Sequence, residues 1–417
     1  MDPALDRWTA LADRVDTALA AADARLAAAY PGDPAGRQPV HTAYVPADRF
    51  HAGTVAEWGA AAQAAFDEHA PTAAEVADIW GLHVALAEAV RDRVVRKLAT
   101  EPVEDVRVDL EDGYGARPDA EEDADAVRAV AALGATPFCG VRFRSFEAPT
   151  RRRGLRTLAL VVEALAPELP DGFVLTLPKV TAVEQVAALV TVLAELERAH
   201  GLAAGALRFE VQVETPQSVL GRDGASPLPR MIAAARGRCT GLHYGTYDYS
   251  ASLGIAAAYQ SMEHPVADHA KAVMQVATAG TGVRLSDGST NVLPVGEGDA
   301  VRAAWRLHGR LVRRSLERGF YQGWDLHPAQ LPSRHVACMA FYREGFPAAA
   351  ARLRAYRERR DGGFLDEPAT AVALAGFLLR GVECGALDDT EVADGSGADR
   401  AGLAVLARRT GSLRRSP

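Results

Sequence analysis

Two carboxylates stand where strand-like runs give way to turns. Arg208–Gly221 reads RFEVQVETPQSVLG. Its first half alternates and is rich in Val and Phe, and it then meets Glu214-Thr215-Pro216, where proline cannot extend a ladder. A second strand-like run, GLHYGTYDYS, leads on to Asp248. Two acids on neighbouring strand tips, with substrate and water oxygens filling the remaining positions, suit Mg²⁺ or Mn²⁺.

Other charged side chains collect at the ends of further runs. VEDVRVDL (103–110) closes in Asp109, Glu111 and Asp112, TPFCGVRFR carries Arg142 and Arg144, GFVLTLPK ends at Pro178 and Lys179, and GFYQGWDLHP holds Asp325 and His327. In a closed ring of parallel strands, catalytic groups come from these C-terminal tips. Plainer roles stand beside the chemical ones. The 109–112 acids can cap a helix, Lys179 can pair with them, and Asp248 can close an Asx turn. His327 reads as fixing the turn before Pro328, and His264 with His269 has the wrong spacing for two ligands on one helical face.

The elements that must position these groups alternate. Strand candidates begin at 41–46 and 103–110 and continue at 136–144, 172–179, the run to Glu214, the run before Asp248, 282–286 and 319–328. Helical stretches at 54–69, 72–98, 119–133, 152–166, 181–200, 227–236, 265–278 and 299–318 separate them. Thr72…Glu75 and Thr181…Glu184 read as capping boxes. Eight such units predict an α/β fold, a (β/α)8 barrel with parallel strands. An open doubly wound sheet would also alternate, but no GxGxxG follows the first strand and no GxxxxGK[ST] occurs.

Residues 1–38 read as an N-terminal helical extension, with Leu5, Trp8, Leu11, Val15, Leu19 and Leu26 on one face and packed on the outside of the main domain. Residues 39–345 form the barrel. A helix at 333–343 closes that domain, and residues 346–417 read as a C-terminal helical extension, with helices at 347–360 and 369–384 and a disordered tail.

The 417 residues carry a net charge of −8, which gives no long-range attraction for nucleic acid or an anionic membrane. Cys139, Cys239, Cys338 and Cys384 are widely spaced and form no CxxC, against both a disulfide framework and a zinc site. The N-terminal stretch has acids where a signal peptide needs bases, and no run of apolar residues reaches membrane length, so a cytoplasmic protein is expected.

VDLEDGYG, GVRFR, LTLPKV, QVETPQSVLG, YGTYDYS, GWDLHPAQL and GGFLDEP follow one another in the order of the motifs of a known family. The chain resembles the citrate lyase β-subunit-like proteins, grouped with the HpcH/HpaI aldolases in the phosphoenolpyruvate/pyruvate barrel superfamily. The likeness runs from about residue 40 to 385 and rests on the motifs together. It implies a TIM barrel that binds Mg²⁺ and makes or breaks a C–C bond beside a carbonyl. By this resemblance Glu214 and Asp248 hold the metal, Arg142 is the third-strand arginine, and Asp366 is the acid/base aspartate that related acyl-CoA lyases deliver from a neighbouring subunit. Glu111 and Lys179 orient these groups. Arg144 stands where the family has Asn, and with Arg151 it supplies positive charge at the mouth for a CoA thioester. The implied substrates are malyl- or citramalyl-CoA, with two alternatives, a class II aldolase acting on pyruvate plus an aldehyde and a non-catalytic metabolite-binding barrel. A trimeric or hexameric homo-oligomer is expected.

Overall fold

A computed structural model describes residues 3–358 and 367–407. Eight parallel strands make one sheet: β1 (His41–Pro46), β2 (Asp105–Asp109), β3 (Phe138–Arg142), β4 (Phe173–Leu177), β5 (Phe209–Val213), β6 (Cys239–Tyr244), β7 (Arg284–Ser286) and β8 (Gly323–Asp325). Their order is β7-β6-β5-β4-β3-β2-β1-β8, so each strand except at the β8–β1 junction lies beside its sequence neighbour. A single bridge between Ser286 and Gln322, with Asp287 donating to the Gln322 carbonyl at 2.8 Å, joins β7 to the start of β8 and closes the ring. The result is the (β/α)8 barrel.

Period-two alternation divides each strand between two environments. On β5, Phe209, Val211 and Val213 join the hydrophobic core beneath the helices, while Glu210, Gln212 and Glu214 meet side chains of other strands across the interior. That interior is unusually polar. Arg107 of β2 pairs with Asp105 at 2.8 Å and Glu210 at 3.2 Å, and Glu210 also accepts from Thr176 and lies 2.9 Å from His243 Nε2. Buried charge is tolerated when each group is paired in this way. Gly140 makes room for it, because a Cβ there would stand 2.2 Å from Arg107 Nη1 and 1.7 Å from the Val174 carbonyl.

Several sequence expectations change. The stretch 72–98 is two helices, Ala73–Trp80 and Val84–Thr100, because Gly81 turns left-handed at φ 67° and ends the first. The Thr72–Glu75 capping box forms as expected. The next one shifts by a residue: Gln185 accepts from the amides of Thr181 and Ala182, leaving Glu184 outside the cap. Residues 333–343 and 347–360 merge into one helix, Leu331–Arg357, which carries Pro347 internally. Past Cys384, helices Asp389–Ser396 and Arg400–Leu406 extend order beyond expectation. The tail read as disordered lies outside the described residues from 408 onward. Helix Pro3–Ala29 forms, but every described side chain along it is exposed rather than packed on the barrel.

Candidate active site

Glu214 follows the last residue of β5 and is 1 % exposed at the C-terminal rim. Its Oε1 accepts the Lys179 amide at 2.7 Å. Lys179 holds φ 51°, the left-handed region that a non-glycine residue rarely occupies. This backbone turn just after β4 aims the amide at Glu214, and local strain of this kind gathers at functional sites. Gly245, just after β6, lies against the same carboxylate: a Cβ there would be 2.4 Å from Glu214 Cβ and 2.6 Å from Oε2. Among the described residues no Lys ammonium or Arg guanidinium nitrogen comes within 4.0 Å of the Glu214 carboxylate. Burial therefore pushes its carboxyl up to about 8, with Lys179 opposing and Glu111 and Asp248 reinforcing the shift.

The Lys179 side chain reaches the other acids. Its Nζ is 2.8 Å from Asp112 Oδ2, 3.2 Å from Asp248 Oδ2 and 3.4 Å from Glu111 Oε1. Burial disfavours the ammonium, but Glu214, Glu111 and Asp112 more than compensate and hold it above the usual lysine range. Burial pushes Glu111 up to about 7 against the pull of Arg142 and Lys179. For Asp112 burial works in the same direction, yet the hydrogen bond and charge of Lys179 prevail and its carboxyl is lowered. Asp248 is not at a strand end. It sits in the first turn of a short helix, Thr246–Ser252, with about half of its side chain exposed to the mouth.

Arg142 ends β3 and is buried. It forks onto Asp109 through Nε and Nη2, each 2.7 Å from a carboxylate oxygen, and stacks 4.8 Å over the Tyr44 ring. Asp109 also accepts the amides of Glu111 and Gly113; a Cβ at Gly113 would lie 2.5 Å from its Oδ2. Gln212 completes the link: with its amide oriented so that both neighbours are satisfied, its nitrogen lies 3.2 Å from Glu214 Oε1 and its oxygen 3.2 Å from Arg142 Nη1. Gln212 and Tyr44 escaped sequence reasoning. The signal for Gln212 was available, since two residues before Glu214 on a strand is the same face.

Two expected mouth cations lie apart from this cluster. Arg144 donates to Glu122 and to the Gly115 carbonyl, and Arg151 donates to the Phe146 carbonyl at the start of helix Arg151–Leu165. Asp325 of β8 is held by His41 at 2.7 Å and forked by Arg334, an inter-element brace rather than a free acid. His327 accepts from the Ala329 amide and fixes its turn, and His264 does the same for Val266. Asp366 lies outside the described residues.

The donor set fits a divalent cation. Among the described residues no three His, Cys, Asp or Glu side chains form a metal cage. Magnesium, however, commonly uses one or two carboxylates and draws its other oxygens from water and substrate. The Lys179 ammonium already stands among Asp248, Asp112 and Glu111, and burial raises the Glu214 carboxyl in spite of that charge.

A family model described as "Domain of unknown function (DUF6986)" matches residues 19–410. A 109-residue stretch is 36% identical to the L-malyl-CoA/beta-methylmalyl-CoA lyase of Haloarcula marismortui, covering 26% of this chain and 29% of that protein. Among solved structures, the Haloferax volcanii malate synthase magnesium/glyoxylate complex matches 89% of this chain and 98% of that one, with a TM-score of 0.51 and 16% identity, a likeness of fold. An HpcH/HpaI aldolase/citrate lyase family protein from Burkholderia cenocepacia J2315 matches 71% of this chain and 90% of that one, with a TM-score of 0.39 and 16% identity.

Proposed function

The chain belongs to the DUF6986 family, and from that premise we propose that it is a Mg²⁺-dependent carbon–carbon lyase of the citrate lyase β-like kind, acting on a 3-hydroxyacyl-CoA such as malyl- or citramalyl-CoA. The observation that carries this reading is the buried Glu214 carboxylate at the barrel rim, gathered with Lys179, Asp248 and Glu111 and linked through Gln212 to Arg142. The malyl-CoA lyase likeness supports the substrate class.

Cleavage removes the proton of the 3-hydroxyl and breaks the C2–C3 bond. It leaves the electron pair as an enolate on the thioester oxygen, and carbon then takes a proton. A divalent ion held by Glu214 and Asp248 would supply Lewis-acid stabilisation of developing oxyanion charge. Arg142, fixed by Asp109 and Tyr44, holds a permanent positive charge at the interior face of the pocket without rearranging during the reaction. Glu111 and Lys179 orient the cluster, and Asp366 is assigned the returning proton. The thioester's phosphates fall to the helix start at Arg151 and to Arg144, whose guanidinium is already shared with Glu122.

The test combines binding with exchange. With Mg²⁺ present, calorimetry should detect CoA binding, and NMR should detect solvent deuterium entering the acetyl-CoA methyl group. Glu214→Ala should lose the exchange. Exchange into pyruvate with no CoA binding would replace this reading with the class II aldolase, and no exchange into either compound would leave a non-catalytic barrel.

A further inference from the structure

Asp105, Arg107, Glu210 and His243 line a cavity of about 610 Å³ at the N-terminal end of the barrel, opposite the candidate active site. Its mouth is edged by the segments that lead into β1, β4 and β5, where Ala35, Asp171 and Arg208 are exposed. Arg284, at the start of β7, donates to the carbonyls of Gly36 and Arg37 and pins the first of these segments there. Glu210 precedes Glu214 by four residues on β5, so the two ends of the lumen lie about 13 Å apart along that strand.

The buried polar groups of this cavity do not close on themselves. The neighbouring network of β8 and β1 does: Asp325 is met by His41 and Arg334, and the other His41 nitrogen accepts the Glu104 amide. Asp105, Arg107 and His243 are each no more than 2 % exposed, yet Asp105 Oδ1, Arg107 Nε and His243 Nδ1 have no hydrogen-bond partner. Burial pushes the Asp105 carboxyl up to about 6 against the pull of Arg107. Unpaired polar atoms in three neighbouring buried side chains call for a polar occupant.

Their chemistry says which kind. Glu210 only accepts, so His243 Nε2, 2.9 Å away, donates to it and leaves Nδ1 of the neutral ring an acceptor. Asp105 Oδ1 is a second acceptor and Arg107 Nε a donor. Hydroxyl groups, which donate and accept, answer all three. At the mouth Arg208 has no hydrogen-bond or ion-pair partner among the described residues, whereas Arg238 beside it forks onto Glu197. A free guanidinium at a cavity mouth suits a carboxylate or phosphate. We propose that this end of the barrel binds a small hydroxylated organic anion, a carboxylate or a phosphate ester, whose charge meets Arg208 and whose hydroxyls serve Asp105, Arg107 and His243. A cavity of this volume is of the size that takes such molecules.

Gluconate and glucose 6-phosphate are the probes, titrated calorimetrically into the full chain. At least one should bind, and their relative affinities identify the anionic group. Glucose carries the hydroxyls without the charge, and propionate and inorganic phosphate carry the charge without the hydroxyls; each should bind about tenfold more weakly or worse. Arg208→Gln alters only an exposed side chain and should weaken the bound probe by about tenfold. Glu214→Gln, at the opposite rim, should still bind it. Failure of both probes, glucose binding as well as either, an unchanged affinity in Arg208→Gln, or loss of binding in Glu214→Gln would each overturn the proposal.

Discussion

Lys179 touches Glu214 and Asp248 through its two ends: the amide donates to Glu214 Oε1 at 2.7 Å, and the ammonium lies 3.2 Å from Asp248 Oδ2. One strained residue therefore fixes the position of one carboxylate and neutralises the other. Its ammonium and a divalent cation ask for the same oxygens, and this competition is open to measurement. Lys179→Met keeps the backbone turn and removes the charge. Mn²⁺ titration by electron paramagnetic resonance should show affinity rising about tenfold, as expected when about 1.4 kcal/mol of competing interaction is removed. Unchanged or weaker Mn²⁺ binding would count against a shared site.

Metal affinity should depend steeply on pH. Burial holds Glu214 protonated to about 8, and a ligand must lose its proton to bind metal. Apparent affinity should therefore rise about tenfold per pH unit up to pH 8 and then level off. The same shift bears on stability. The folded pKa lies above the unfolded value, so the metal-free protein has its full share of stability below the unfolded value and loses it as pH rises towards 8. Glu214→Gln should remove this loss when wild type and variant are compared by urea denaturation in EDTA at pH 5 and pH 8.

Gly245→Ala should disturb the site without replacing any charged residue. The new methyl would overlap Glu214 Cβ at 2.4 Å, so the carboxylate must move. Because an ångström-scale misplacement costs about 10²-fold in rate, metal-dependent turnover should fall by that order. Steady-state kinetics would reveal it, and wild-type kcat would show that Glu214 position is unimportant.

Arg142→Lys should harm both stability and catalysis. Lysine cannot reproduce the fork onto Asp109 or the stack on Tyr44. Loss of a buried pairing of this kind costs about 3–5 kcal/mol, which chemical denaturation measures directly. A loss below 1 kcal/mol would show that Asp109 finds other partners.

The barrel was legible because each of its strands carries its own evidence. An apolar alternating run ends in proline or acid at Pro46, Asp109, Pro178 and Glu214, and the helices between have the right spacing. Glu214, Lys179 and Arg142 could be placed at the rim on the same grounds. The way they meet could not. The link from Glu214 through Gln212 to Arg142 joins β5 with β3, and strand pairing across a closed ring leaves no local mark in sequence. The run into Asp248 reads as a strand because it contains Tyr and Thr, yet the chain turns helical at Thr246. The Gly81 break was missed because alanine-rich flanks mask a single glycine in a helical pattern. Pro347 misled in the other direction, since neighbouring helices hold Leu331–Arg357 together around it.

Ring closure itself rests on a thin joint between the two three-residue strands β7 and β8, the Ser286–Gln322 bridge with the backbone hydrogen bonds from Asp287 to Gln322 and from Trp324 to Gly288. Amides there should exchange with solvent sooner than those of β3 to β5. The hoop should thus loosen first on that side. The staves bearing Arg142 and Glu214 stand on the far side and keep their alignment while it does so.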